Sequence, residues 1–266
     1  MQITPISPEC LAHSLENLRK SRPLVHCLTN EVVQEITANV LLAAGASPAM
    51  VVAAEEAPGF TAVASGLLVN VGTPTPDRLA VMHSCARSAR EHGRPWVLDP
   101  VAAGGMPWRD EQIRSFLDDS PTVIRGNASE ILALAGLGSG GKGVDSTDSS
   151  DAALEAARVL SEKTGAVVCV TGETDYAVKG DRAVSISGGS EMATLVVGTG
   201  CSLSALVAAF LAVTDDAVTG AISACALAKR AAQIARGRSR GPGSFHNEYL
   251  DALYQIQPAD FLGEEA

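Results

Sequence analysis

Residues 196–212 read "VVGTGCSLSALVAAFLA". Val196 and Val197 end what reads as an extended run, Gly198 and Gly200 free the backbone, and residues 202–212 have the composition of a buried helix. The first amide N–H groups of a helix have no intrahelical partner, and the macrodipole adds about half a positive charge there. A glycine-rich turn into a helix is therefore a candidate phosphate cradle. Cys201 stands directly behind the two glycines. It reads either as a small buried hydrophobe or as a group that faces whatever the glycines hold.

Working outward, the same succession of strand and helix recurs. Short apolar runs are "LVHCLTN" (24–30), "PAMVVAA" (48–54), "GLLVNVG" (66–72), "WVLDPV" (96–101), "TVIRGN" (122–127) and "AVVCVTG" (166–172). Helical composition fills residues 31–44, 77–91, 109–117, 129–135, 151–163 and 215–236. Such alternation predicts a parallel sheet covered on both faces. With no internal repeat and no proline-rich linker, residues 1–266 are expected to form one domain. The low-complexity stretch 136–151, "GLGSGGKGVDSTDSSD", is expected to be a surface loop.

The carboxyl ends of these runs carry Thr29 and Asn30, Asn70 and Gly72, Asp99, Arg125 and Asn127, then Thr171 and Gly172. Ligands of open parallel sheets bind at that edge, so these residues form a candidate active-site rim.

Composition narrows the function. A formal charge of −10 disfavours a nucleic-acid or anionic-membrane surface, which needs concentrated Lys and Arg. Six scattered cysteines, with no C-x-x-C pair and no apolar leader, point to a reduced, cytoplasmic protein. The five histidines show no zinc-ligand spacing. Residues 192–214 are uncharged and long enough to span a bilayer, but their glycines, hydroxyls and acidic flanks fit a strand followed by a buried helix instead. Two nucleotide-like glycine patterns in 136–143 lack a preceding strand, and "GRSRG" (237–241) follows a helix where a nucleophile elbow would need strand, turn, helix.

Taken in order, "LVHCLTN", "GASPAM", "LDPV", "RGNASE", "VTGE", "VGTGCSLSA" and "GPGSF" make the chain resemble the hydroxyethylthiazole kinase family from about Pro23 to Phe245. The resemblance implies a ribokinase-like three-layer α/β/α fold with a mostly parallel central sheet. It implies ATP-dependent phosphorylation of the primary alcohol of 5-(2-hydroxyethyl)-4-methylthiazole, with Mg²⁺, in a homotrimer. Carried over by position, Met50, Gly198 and Asn30 would contact the thiazole, and Arg125, Thr171 and Gly200 would contact ATP. Asp99 and Glu130 would belong to the magnesium shell, and Cys201 would be the catalytic residue facing the attacking hydroxyl. Phosphoryl transfer calls for such a set, because positioning and charge neutralisation carry most of its catalysis. Related kinases use aspartate where this chain has Cys201, which weighs against a hydroxymethylpyrimidine-type kinase. A non-catalytic nucleotide-binding regulator is the alternative from another class.

Overall fold

Strand and helix do alternate along the chain, and the computed structural model describes residues 1–137 and 148–263. The first half runs β1 (Gln2–Pro5), α1 (Pro8–Ser21), β2 (Leu24–Leu28), α2 (Gln34–Ala44), β3 (Ser47–Ala49), α3 (Ala57–Val63), β4 (Gly66–Asn70), α4 (Pro76–Glu91), β5 (Trp96–Asp99), α5 (Pro107–Ser115), β6 (Val123–Asn127) and α6 (Ala128–Ala135). The second runs α7 (Asp148–Thr164), β7 (Val167–Thr171), β8 (Thr174–Lys179), β9 (Arg182–Ser187), α8 (Thr199–Leu211), α9 (Ala217–Arg238) and α10 (Pro242–Gln255). The strands form one sheet in the order β1-β9-β8-β7-β6-β5-β4-β2-β3. β8 alone runs against the others.

Side chains alternate between the two faces with a period of two. Val25, Cys27, Leu68, Val97, Val123, Val167 and Cys169 join a core with α1, α2, α8, α9 and α10. Leu67, Val69, Trp96, Leu98, Ile124, Val168 and Val170 join the core of α3 to α7. Burial on both faces is why these strands read as unbroken apolar runs. Small residues bring the helices close. A Cβ on Gly66 would lie 2.7 Å from the carbonyl oxygen of Ala208, so α8 packs directly onto β4. The result is a mixed α/β, mostly parallel three-layer fold.

Several expectations change. The run before Gly198 is not a strand: residues Glu191–Leu195 form a 3₁₀ turn. Leu195 and Val197 are about two-thirds exposed, with no partner strand to pair, and the Thr199 hydroxyl gathers the turn by donating to the carbonyls of Ala193 (2.8 Å) and Val196 (3.2 Å). Of "PAMVVAA" only Pro48 and Ala49 lie in a strand. The N-terminal segment acquires a place, since β1 pairs with β9 and α1 packs on the first core. Gly136, at φ +78°, caps α6 in the left-handed conformation, and residues 138–147 of the expected loop lie outside the described residues. Ser239 of "GRSRG" is the C-cap of α9, as its context implied. Among the described residues no helix is long and apolar enough to cross a membrane.

Candidate active site

The period of two assembles the rim. Asn70, Asp99, Arg125 and Thr171 each lie two residues beyond a side chain of the α8-facing core, namely Leu68, Val97, Val123 and Cys169. They therefore emerge on the same face, and the register sets Asn70 opposite Asp99 and Asn127 opposite Thr171. A row of amide, carboxyl, guanidinium and hydroxyl groups results at the carboxyl edge of β4 to β7, beneath the first turn of α8.

Two linked hydrogen-bond systems hold that row. In the first, Asn30 Nδ2 donates to Asn70 Oδ1 (2.9 Å) and to Cys201 Sγ (3.6 Å), and Asn70 Nδ2 donates to Asp99 Oδ2 (2.7 Å). Ser204 Oγ donates to the same oxygen at 2.8 Å. In the second, Arg125 donates from Nη1 to the Gly200 carbonyl (2.9 Å) and from Nη2 to Thr171 Oγ1 (2.6 Å). Arg125 Nε and Thr29 Oγ1 are buried there without a hydrogen-bond partner among the described residues, leaving polar capacity beside the rim.

Burial sets the electrostatics. Desolvation pushes the Asp99 carboxyl up to about 7, although the Arg125 guanidinium pulls it down. For Arg125 burial opposes the charge, but Asp99 and other nearby acidic groups outweigh it, and the net shift is upward. Burial, reinforced by Asp99, raises the Cys201 thiol above its ordinary value despite hydrogen bonds from Asn70 and Asn30. Cys201 is thus a thiol at neutral pH.

Two helix starts meet this site. At α8 the N-cap is Gly198, at φ +92°, which offers no side chain to the first amides. Only glycine suits the position, because the backbone is left-handed and a Cβ would lie 2.3 Å from Ile36 Cγ2 on α2. At α6 the start is closed by a capping box: Asn127 Oδ1 accepts from the Glu130 amide, and Glu130 Oε2 accepts from the Asn127 amide, both at 2.9 Å. The other Glu130 oxygen accepts from the Ala102 amide, also at 2.9 Å.

The structure brings Asn30, Asp99, Cys201, Arg125, Thr171 and Gly200 into contact directly or through Asn70. Gly198 adjoins them on the α2 side, and Met50 follows β3, half-buried against the core face that carries Cys201. Glu130 is close enough for its charge to raise Asp99. The sequence reading missed Ser204, although three positions beyond Cys201 on a helix is the same face. It also passed over the N-x-x-E capping signature at Asn127 and Glu130.

One further constellation tempts. His83 Nδ1 meets Asp119 Oδ2 at 2.5 Å and His83 Nε2 meets Ser115 Oγ at 3.1 Å. The serine hydroxyl is already given to the Gln112 carbonyl at 2.7 Å, so the group joins α4 to α5 and offers no activated nucleophile.

Comparisons with known proteins meet this geometry from outside. The profile of the hydroxyethylthiazole kinase family matches residues 15–259. The hydroxyethylthiazole kinase of Klebsiella pneumoniae (strain 342) is 52% identical over 250 residues, covering 94% of this chain and 97% of that protein. Among solved structures, the hydroxyethylthiazole kinase of Pyrococcus horikoshii OT3 superposes with a TM-score of 0.86 at 36% identity, covering 93% of each chain. A ribokinase-like superfamily protein of Enterococcus faecalis shares the fold, with a TM-score of 0.68 at 12% identity over 96% of this chain and 97% of its own. With the profile spanning nearly the whole chain and half the residues shared with a named relative, the protein belongs to the hydroxyethylthiazole kinase family.

Proposed function

We propose that the protein transfers the γ-phosphoryl group of ATP to the primary alcohol of 5-(2-hydroxyethyl)-4-methylthiazole, and that the rim under α8 is where it does so. The observation that carries this reading is the buried chain Asn30–Asn70–Asp99–Ser204, with Cys201 attached, beside an uncapped helix start tied down by Arg125. The whole chain works as one kinase domain.

Arg125, Thr171 and the α8 turn at Gly200 hold the nucleotide phosphates, the first with a fixed charge and the last with amides no side chain occupies. Met50, Gly198 and Asn30 bound the thiazole pocket: Met50 gives a polarisable apolar wall, Gly198 contributes backbone at the N-cap of α8, and Asn30 supplies an amide. The alcohol oxygen bonds to the γ-phosphorus as the bond from phosphorus to the ADP oxygen breaks, and the alcohol proton is released. A loose transition state leaves that proton on the attacking oxygen until late, so Cys201, as a thiol, orients the hydroxyl and contributes little as a base.

Among the described residues no three His, Cys, Asp or Glu side chains converge as a metal cage, and both Glu130 oxygens are taken by amides. This donor set fits a Mg²⁺ that arrives with the nucleotide and reaches Asp99 and Glu130 through water. Bound there, the ion would neutralise charge on the transferring phosphoryl group. The assembly is a homotrimer, as the family resemblance implies, with exposed apolar side chains such as Val32, Val52 and Val197 available to its interface.

A coupled ADP-release assay tests the reaction: release should depend on the thiazole alcohol and stay at background with hydroxymethylpyrimidine. Nucleotide binding without thiazole-dependent turnover would favour the regulatory alternative.

A further inference from the structure

Lys229 lies on α9, is nine-tenths buried, and has no part in the reaction described above. Its ammonium reaches the carbonyl oxygens of Gly172 (2.9 Å), Glu173 (2.9 Å) and Gly188 (3.1 Å), and the Asp175 carboxylate at 3.2 Å. These acceptors come from the turn after β7, the start of β8 and the end of β9. Asp175, itself buried, also accepts the Gly172 amide at 2.9 Å. Gly172 is therefore gripped at both its N–H and its C=O, and it directly follows Thr171, whose hydroxyl holds Arg125.

Helix packing alone does not call for such a residue. A methionine or leucine would fill the volume without the desolvation that a buried charge costs. What the ammonium provides is convergence, drawing three carbonyl dipoles from two separate segments onto one point, with a carboxylate to balance it. We propose that Lys229 is a positioning residue for the nucleotide, an internal cation that fixes the turn after β7 and thereby the Thr171–Arg125 pair. The inference rests on the reading of that pair as a phosphate contact.

The test uses the full chain. Lys229→Ala should raise the KM for ATP about tenfold or more while the KM for the thiazole alcohol moves less than about twofold. Methylammonium should restore much of the ATP affinity of that variant and leave the wild type unaffected. Lys229→Met combined with Asp175→Asn removes both charges at once, and its ATP KM should rise similarly, without rescue by the amine. A folded variant of either kind with wild-type ATP KM overturns the inference, as does a fall in thermal stability with both KM values unmoved. Calorimetry of ADP binding to Arg125→Ala, run alongside, separates the two levels. Undiminished binding there sinks the phosphate reading, whereas weakened binding there with normal binding in the Lys229 variants sinks only the role of Lys229. Should neither Lys229 variant fold, amide exchange in the wild type decides. ADP should slow exchange at residues 172–175 and at 188–189 together, and unchanged exchange at both refutes the inference.

Discussion

The starts of α6 and α8 adjoin the same site and are built oppositely. At α6, Asn127 and Glu130 bond each other's amides, and the second Glu130 oxygen takes the Ala102 amide, so the helix start is closed by its own side chains. At α8 the N-cap is a glycine in the left-handed conformation, and no side chain caps the first amides. Self-satisfaction makes the first a structural joint. The open amides and positive dipole of the second are what a phosphate would meet.

The largest test of this contrast is Gly198→Ala. Positive φ and the approach to Ile36 should together cost about 2 to 4 kcal/mol, and turnover should fall by at least about a hundredfold. Gly200→Ala is its control, because a Cβ there would make ordinary contact with Arg125 at 3.4 Å and the melting temperature should hold. Equal effects at the two glycines would break the contrast. Next, Arg125→Ala unties α8 from β7 and should weaken ATP binding about ten- to a hundredfold, read by calorimetry.

Cys201→Ala should lower kcat by about one to two orders of magnitude by removing the group that orients the hydroxyl, whereas Cys201→Ser keeps a hydrogen-bonding group there and should retain most of the rate, because a thiol already protonated by its surroundings contributes little as a base. A serine variant as slow as the alanine variant would make acidity, not hydrogen bonding, the function of the thiol.

Asp99 gives a pH dependence. Its folded value near 7 exceeds that of an unfolded carboxyl, so the native state binds the extra proton, and stability falls as pH rises from about 4 to about 7. Asp99→Asn keeps the acceptor for Asn70 and Ser204 without the buried charge. It should melt a few degrees above wild type at pH 8, about 2 to 4 °C for each kcal/mol relieved, and near it at pH 4.5. Its turnover should drop at both values. The smallest effect belongs to the closed helix: Asn127→Ala should cost about 1 kcal/mol and leave both KM values nearly alone. Glu130→Gln should raise the Mg²⁺ requirement with stability nearly held, as a water-mediated contact expects, and an unchanged requirement would leave Glu130 to its cap alone.

Much of this was legible beforehand. Strands buried on both faces left uninterrupted apolar runs, and the polar residue ending each run announced the rim. The hairpin of β8 and β9 was harder to see, since at the sheet's side its residues alternate Thr-Asp-Tyr-Ala-Val-Lys with little apolar weight. The turn before Gly198 misled because its apolar residues imitate a strand while lying exposed, a surface that sequence cannot distinguish from core. Arg125 reads from sequence only as a rim residue and a contact for ATP. Buried against Asp99, it is also structural, and Arg125→Ala should lower the melting temperature as well. Ser204 and Lys229 matter through partners far along the chain, as Asp175 does through its bond to Lys229, and no local pattern encodes those pairings.

That separation has a consequence in time. The bond from Asn30 to Cys201 spans 171 positions, that from Ser204 to Asp99 spans 105, and that from Arg125 to Gly200 spans 75. Each closes a long loop whose entropy must be met before the contact returns anything, so these bonds form late on the way to the native state. On refolding, helical dichroism should recover first and nucleotide binding last. A nascent chain carries every strand of the rim through β7 well before α8 emerges to complete it.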